Sequence, residues 1–288
     1  MVTGANTGLG YETARELAAN GAHVVIASRN ADKAQAAHDA LLQLHPNASI
    51  EVITVDLADL SSVEAFAESF TARHDQLDLL INNAGIMMVS KGVTVDGFER
   101  QLGTNHLGHF ALTGRLIHVL SATPGARVVT VSSLAHRSGT MNFDNLMFTS
   151  DYKPQAAYGR SKLANLLFTF ELQRRCEAAE LDIMSVAAHP GVSATDLGDH
   201  LMGGLFMQPL KVLTKVVLQD SAAGAQPTLR AATGPTAKSG DYFGPSGMGE
   251  VRGRATRVRS TALARNAKVA AELWERSEEL TGVHYLSQ

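Results

Sequence analysis

The sequence predicts an α/β fold: a doubly wound parallel sheet of Rossmann type, three layers deep (α/β/α). Three observations predict it. Short runs rich in Val and Ile alternate with amphipathic stretches, no long polar linker or internal repeat separates them, and a glycine-rich turn opens the first amphipathic stretch. Strands are expected at 23–27, 50–55, 77–81, 127–132 and 183–188, each mostly unbroken, as strands buried on both faces should be. Helices are expected between them at 11–19, 32–44, 61–73, 97–120 and 156–179, with Asn20-Gly21 as the stop of the first. Right-handed crossovers then cover both faces, and ligands collect at the carboxyl ends of the strands. The first strand is the exception. Only Met1 and Val2 precede Thr3, whereas a central strand needs about five residues, so the expectation is a truncated first strand in a protein that begins upstream.

Composition narrows the class. A chain of 288 residues suffices for one large domain, taken as 1–288, with a substantial core. Net charge is −3 and the isoelectric point near 6.4. The one basic run, Arg252, Arg254, Arg257 and Arg259, reads as a solvated loop, so no nucleic-acid partner is expected. The single Cys176 excludes a disulfide framework and suits a reducing compartment. No run approaches about 18 apolar residues and no signal pattern opens the chain, so the expected location is cytoplasmic, without stable membrane insertion.

Two constellations carry chemistry. In Thr3-Gly-Ala-Asn-Thr-Gly-Leu-Gly10 the glycines fall at Gly4, Gly8 and Gly10, with Asn6, Thr7 and Leu9 completing the turn. Glycine lets backbone N–H groups approach a pyrophosphate at the start of the following helix. At the end of the second strand, where an acidic residue would bind the ribose hydroxyls of NAD, stand Ser28, Arg29 and Asn30. Arg29 offers a planar, permanently charged fork to a 2′-phosphate, and Ser28 removes a repelling carboxylate, so NADP(H) is preferred over NAD(H). The alternative is that Arg29 forms a surface salt bridge. The second constellation is Tyr158-Gly-Arg-Ser-Lys162, which sets a phenol and an ammonium on one helical face. A cation about 4 Å from the phenol favours phenolate by roughly 1–4 kcal/mol, which makes the tyrosine a usable acid or base. His106 and His109 have no cysteine or third histidine beside them; they read as packing or surface residues, and no metal is expected.

Taken with Ser133 at the end of the fifth strand, these motifs resemble the short-chain dehydrogenase/reductase family, in order from the first residues to about Thr195. The runs VSSLAHRSG, AAYGRSKLANLLFTFEL, AAHPGVSATDL and LWERSEELTGV resemble its retinol-dehydrogenase-like branch, more loosely beyond Gly240. The resemblance implies that Tyr158 donates a proton to a carbonyl oxygen in reduction, or acts as base in oxidation. Lys162 lowers its pKa and reaches the nicotinamide ribose, and Ser133 polarises the substrate oxygen. By the same resemblance, the backbone carbonyl of Asn105 would hold a water in a relay to solvent. It also implies Asp56 and Leu57 beside adenine, the turn Asn82-Asn83-Ala84-Gly85 along the cofactor, and Pro190, Gly191, Val192 and Thr195 at the carboxamide. Ser132 is expected to be structural.

The expected partner is a small apolar carbonyl or alcohol. Its pocket would be shaped by about 134–157, carrying Met141, Phe143, Leu146, Met147 and Phe148, and by about 196–220; the alternative is that these residues form core or a subunit contact. A homodimer or homotetramer would pair through the helices after Asn105 and Tyr158. Two other readings stand beside the enzyme: a non-catalytic dinucleotide sensor, and a sugar-nucleotide epimerase or dehydratase, which would use a different glycine spacing.

Overall fold

The structure is a computed structural model and describes residues 1–192 and 220–286. Its centre is an eight-stranded sheet in the order β3-β2-β1-β4-β5-β6-β7-β8. The first six strands are Val2–Thr3, Val24–Ser28, Ile50–Thr54, Leu79–Asn82, Ala126–Val131 and Ile183–Ala188. They are followed by β7 (Tyr242–Pro245) and β8 (Ala255–Arg257). All neighbours run parallel except β8, which pairs antiparallel with β7. Strand order reverses between β1 and β4, which opens a crevice at their carboxyl ends.

Helices cover both faces. On one lie α1 (Gly8–Ala19) and α2 (Ala31–Leu44), together with α8 (Ser221–Thr233). They bury Ala14, Leu17, Ala34, Leu41 and Ala231 against Ile26, Ile81 and Val129. On the other lie α3 (Leu60–Thr71), α4 (Arg100–Leu102), α5 (Gly108–Arg115), α6 (Ile117–Ala122), α7 (Pro154–Ala178) and α9 (Ala267–Thr281). There Phe66, Phe70, Phe110, Phe168 and Trp274 share one apolar cluster with Val25, Leu80 and Val128. Phe110 meets Trp274 edge-on at 5.0 Å between centroids, a favoured geometry for an aromatic pair.

The stop signal of the first helix behaves as read. Asn20 ends α1, and Gly21 follows at φ 83, where its missing side chain makes the left-handed turn cheap. The helix expected over 97–120 is instead broken by a π-helical turn at Gly103–Leu107 between α4 and α5. The arginine run is not merely a loop either. Arg257 lies in β8 and pairs with Asp241 at 2.6 Å, so part of the run forms the antiparallel edge. β1 has two residues, and three further hydrogen bonds extend its pairing at both ends. Ile81 N–H donates to Met1 O, Gly4 N–H donates to Ala27 O, and the Met1 ammonium donates to Leu79 O.

Candidate active site

The crevice is assembled around one hydroxyl. Thr3 Oγ1 accepts hydrogen bonds from the backbone N–H groups of Asn83 and Ala84, both at 2.9 Å, and contacts His109 Nε2 at 2.9 Å. Asn83 returns the contact, donating from Nδ2 to Thr3 O at 2.8 Å, so the turns after β1 and β4 are bolted together. The opposite nitrogen of His109 lies 3.0 Å from Asn105 O. One tautomer satisfies both ring contacts: Nδ1–H donates to the Asn105 carbonyl, and Nε2 accepts from Thr3 O–H, whose oxygen also lies 3.3 Å from Ile81 O. Burial holds His109 down to about 4, which keeps the ring neutral in this relay.

Asn105 sits in the π turn, a local widening that helices adopt often at functional sites. Its side chain is fully used: Oδ1 accepts from Ile86 N–H at 2.8 Å, and Nδ2 donates to Ile86 O and to Ser161 Oγ, both at 2.9 Å. Glycine at each end lets this turn approach its neighbours. A Cβ at Gly103 would lie 2.5 Å from Thr94 Cγ2, and one at Gly108 would lie 2.3 Å from Leu57 O. His106 points away, its Nε2 3.0 Å from Ser277 Oγ in α9. Both histidines are therefore packing residues, with different partners.

Tyr158 and Lys162 lie on one buried face of α7, with Lys162 Nζ 5.8 Å from the Tyr158 ring centroid. Lys162 Nζ donates to Val131 O at 3.1 Å, at the end of β5. A Cβ on Gly85 would lie 3.4 Å from that Nζ and 3.1 Å from Asn105 Oδ1, so Gly85, Asn105 and Lys162 converge on one spot. Ser132 Oγ donates to Lys162 O at 2.8 Å, the structural role expected of it. Ser133 caps the short 3-10 helix Leu134–Ser138, its Oγ accepting from Ala135 N–H. That helix is pressed onto α7. A Cβ on Gly139 would lie 2.4 Å from Gly159 O, next to Tyr158 in the chain.

At the cofactor end, Gly4 and Gly8 adopt φ 67 and 56. A Cβ on Gly10 would lie 2.4 Å from Gly4 O and 2.6 Å from Asn83 Nδ2. Thr7 provides no side-chain cap to α1, and the first turn has no acidic residue, so its amides are suited to an anion. Ser28 is buried at the end of β2, and Arg29 is largely exposed, with NH1 3.8 Å from Asp56 Oδ2. That is a long contact, which leaves the guanidinium much of its donor capacity. Asn30 is committed locally, its Oδ1 accepting from Lys33 N–H to cap α2. Asp56 Oδ1 accepts from Ala58 N–H, and Leu57 is buried.

Past β6, Gly191 adopts φ 79, and a Cβ there would lie 2.3 Å from Val251 O. Val192 N–H donates to that same carbonyl at 3.0 Å. His189 Nε2 lies 3.0 Å from Glu250 Oε2, and Glu250 also pairs with Arg137 at 2.7 Å. The segment around Glu250 therefore clamps the loop Pro190-Gly191-Val192 to the helix following Ser133. Thr195, and the expected pocket segment at about 196–220 except Asp220, lie outside the described residues. In the other segment, Leu146 and Phe148 are buried, while Met141, Phe143 and Met147 pack half-buried on the cluster of Leu163 and Leu167.

Sequence reasoning missed Thr3, Arg160, His189 and Glu250 as organisers of the site. Arg160 donates to Thr140 O and Leu146 O and stacks 3.7 Å over Phe148, which fixes the 140–148 loop to α7. Its place between Tyr158 and Lys162 was the available signal; Glu250 had none, being remote in sequence from everything it holds.

A family model described as short chain dehydrogenase matches residues 1–202. The chain belongs to the short-chain dehydrogenase family. It is an oxidoreductase, and its relatives place it in the retinol-dehydrogenase-like branch. Human retinol dehydrogenase 12 is 42% identical over 287 residues, spanning 99% of this chain and 86% of that protein. The crystal structure of an uncharacterized protein from Mycobacterium Paratuberculosis matches with a TM-score of 0.82 at 44% identity, covering 98% of this chain and 92% of that one. An actinorhodin polyketide ketoreductase solved with NADPH shares the fold, with a TM-score of 0.63 at 20% identity over 81% of this chain and 89% of that one. Among the described residues of this short-chain dehydrogenase, no helix is long and apolar enough to cross a membrane.

Proposed function

We propose that this chain is an NADP(H)-dependent carbonyl reductase or alcohol dehydrogenase acting on a lipophilic aldehyde or ketone, or on the matching alcohol. The observation that carries the reading is the convergence of Lys162 and Asn105 at Gly85, with Tyr158 on the same helical face as Lys162. The glycine cradle and the uncapped start of α1 fit a pyrophosphate in the same crevice. A bound nicotinamide dinucleotide would supply the hydride. The protein's part is to bind, align and move a proton.

Ser133 and Tyr158 hold the substrate oxygen, and Tyr158 O–H protonates it during reduction. The Lys162 ammonium stabilises the phenolate left behind, and the turn at Asn105 is where that proton is replaced from solvent. Arg29 selects the 2′-phosphate, in keeping with the NADPH in the related ketoreductase structure. The apolar side chains of 134–157, together with 196–220, form the mouth of the pocket. A lipophilic substrate agrees with the retinol named for the human relative.

The test is NADPH consumption by the purified chain with a panel of lipophilic aldehydes and ketones that includes retinal. NADPH-dependent turnover of at least one, with NADH poorer, is expected. Failure to bind NADPH, or equal use of NADH, would contradict the reading.

A further inference from the structure

We propose that His23, Glu51 and His74 form a binding site for a divalent transition-metal ion of the zinc type, at the end of the sheet opposite the reaction crevice. The three side chains come from separate elements. His23 immediately precedes β2, Glu51 lies in β3 alongside Val25, and His74 follows the end of α3. One ligand atom from each lies within 4.8 Å of the other two. Glu51 Oε2 is 2.7 Å from His74 Nε2 and 3.7 Å from His23 Nε2. Ligand atoms around tetrahedral zinc, each about 2.0–2.2 Å from the metal, stand a little over 3 Å apart, so adjustments of about an ångström would close the set.

The surroundings present the correct atoms. His23 Nδ1 lies 2.6 Å from Ser49 Oγ; donation of its proton there leaves the Nε2 lone pair directed at the carboxylate. The His74 ring stacks on Phe70 at 4.7 Å, and its backbone N–H donates to Phe70 O, which limits its rotation. Arg73 pairs with Glu51 Oε1 and is itself anchored to Ser69 O and Oγ, so Oε2 is the oxygen turned toward both imidazoles. Arg73 cancels the carboxylate charge, leaving a neutral donor set dominated by nitrogen. Such a set favours zinc, nickel or copper over magnesium or calcium, which need several oxygen ligands. The His23 side chain is 44% exposed, so water has access to complete the coordination.

An ion here would tie β2, β3 and the α3–β4 connection together. It would act on stability and not on hydride transfer, because the cofactor loop lies at the other end of the strands. The test compares thermal melts of the full chain in EDTA, in zinc and in magnesium, with calorimetric titration of zinc for stoichiometry. Zinc about a hundredfold above its dissociation constant should raise the melting temperature by about 5 °C, with no effect of magnesium. His74→Gln and His23→Asn should each remove most of that rise while melting close to the parent in EDTA. If either variant is unstable in EDTA, Glu51→Gln provides the same comparison. Absence of one-to-one zinc binding to the parent, or a zinc shift that persists undiminished in the variants, would overturn the proposal.

Discussion

Single side chains decide the character of the crevice. Thr3 Oγ1 and His109 form a relay of defined direction that ends on the Asn105 carbonyl, so the position of Asn105 is set from β1 as well as from its own helix. In the proposed function Arg29 is the residue that selects NADP(H) over NAD(H). Its only described ion-pair partner, Asp56, is 3.8 Å away, and its side chain is 73% exposed, so the pair contributes little to stability. Arg29→Gln should therefore leave the melting temperature near the parent value. A charge-assisted contact with a phosphate is worth about 1.5–3 kcal/mol, so the variant should weaken NADPH roughly ten- to a hundredfold while leaving NADH almost unchanged. Fluorescence titration with both nucleotides checks this; equal losses for the two would mean that Arg29 does not read the 2′-phosphate.

At the scale of elements, the site depends on close approach of backbones. The helix that follows Ser133 touches α7 through Gly139 and Gly159, with no room for a methyl group between them. Gly139→Ala should push the helix that follows Ser133 away from α7, and with it Ser133, without disturbing the glycine cradle. We expect kcat to fall by about ten- to a hundredfold with the NADPH dissociation constant unchanged, as steady-state kinetics and titration would report. Elements also differ in how legible they are. β6 occupies the same residues that the sequence pattern assigns to it, because the short, nearly all-apolar run Ile-Met-Ser-Val-Ala-Ala is what a strand buried on both faces carries. β7 and β8 were not read. Tyr242–Pro245 contains Gly and Pro, which punctuate loops, and Ala255–Arg257 is a polar edge whose pairing depends on β7. The break at Gly103–Leu107 shows in the sequence only as the helix irregularity that Asn105 suggests, because the apolar period continues across a turn whose close approach to Leu57 and Thr94 is tertiary.

For the whole molecule, burial of neutral histidines couples stability to pH. His106 is held down to about 3 and His109 to about 4, in both cases chiefly by burial. Their folded pKa values lie below the unfolded value near 6.5, so between about pH 6.5 and 4 the unfolded chain binds protons that the folded chain refuses. The stabilisation is complete above pH 6.5 and is lost as pH falls. Each ring should cost on the order of 1–2 kcal/mol by pH 5. Urea midpoints should fall between pH 7 and 5, and His106→Asn should reduce the slope; a pH-independent midpoint would contradict this.

The fold and the proposed reacting side chains are thus written locally, in apolar period, glycine spacing and Tyr-x-x-x-Lys. What holds them in place was not. Thr3 with His109, the Glu250 clamp and the His23–Glu51–His74 cluster each join residues that become neighbours only when the sheet is wound. The central claim is that these parts deliver a proton from Tyr158 as hydride leaves NADPH. It is tested most directly by comparing the parent with Tyr158→Phe, measuring NADPH affinity by fluorescence and NADPH consumption with an aldehyde that the parent reduces. The account predicts equal affinity and a loss of turnover of at least about a hundredfold. Turnover that survives the substitution would contradict it.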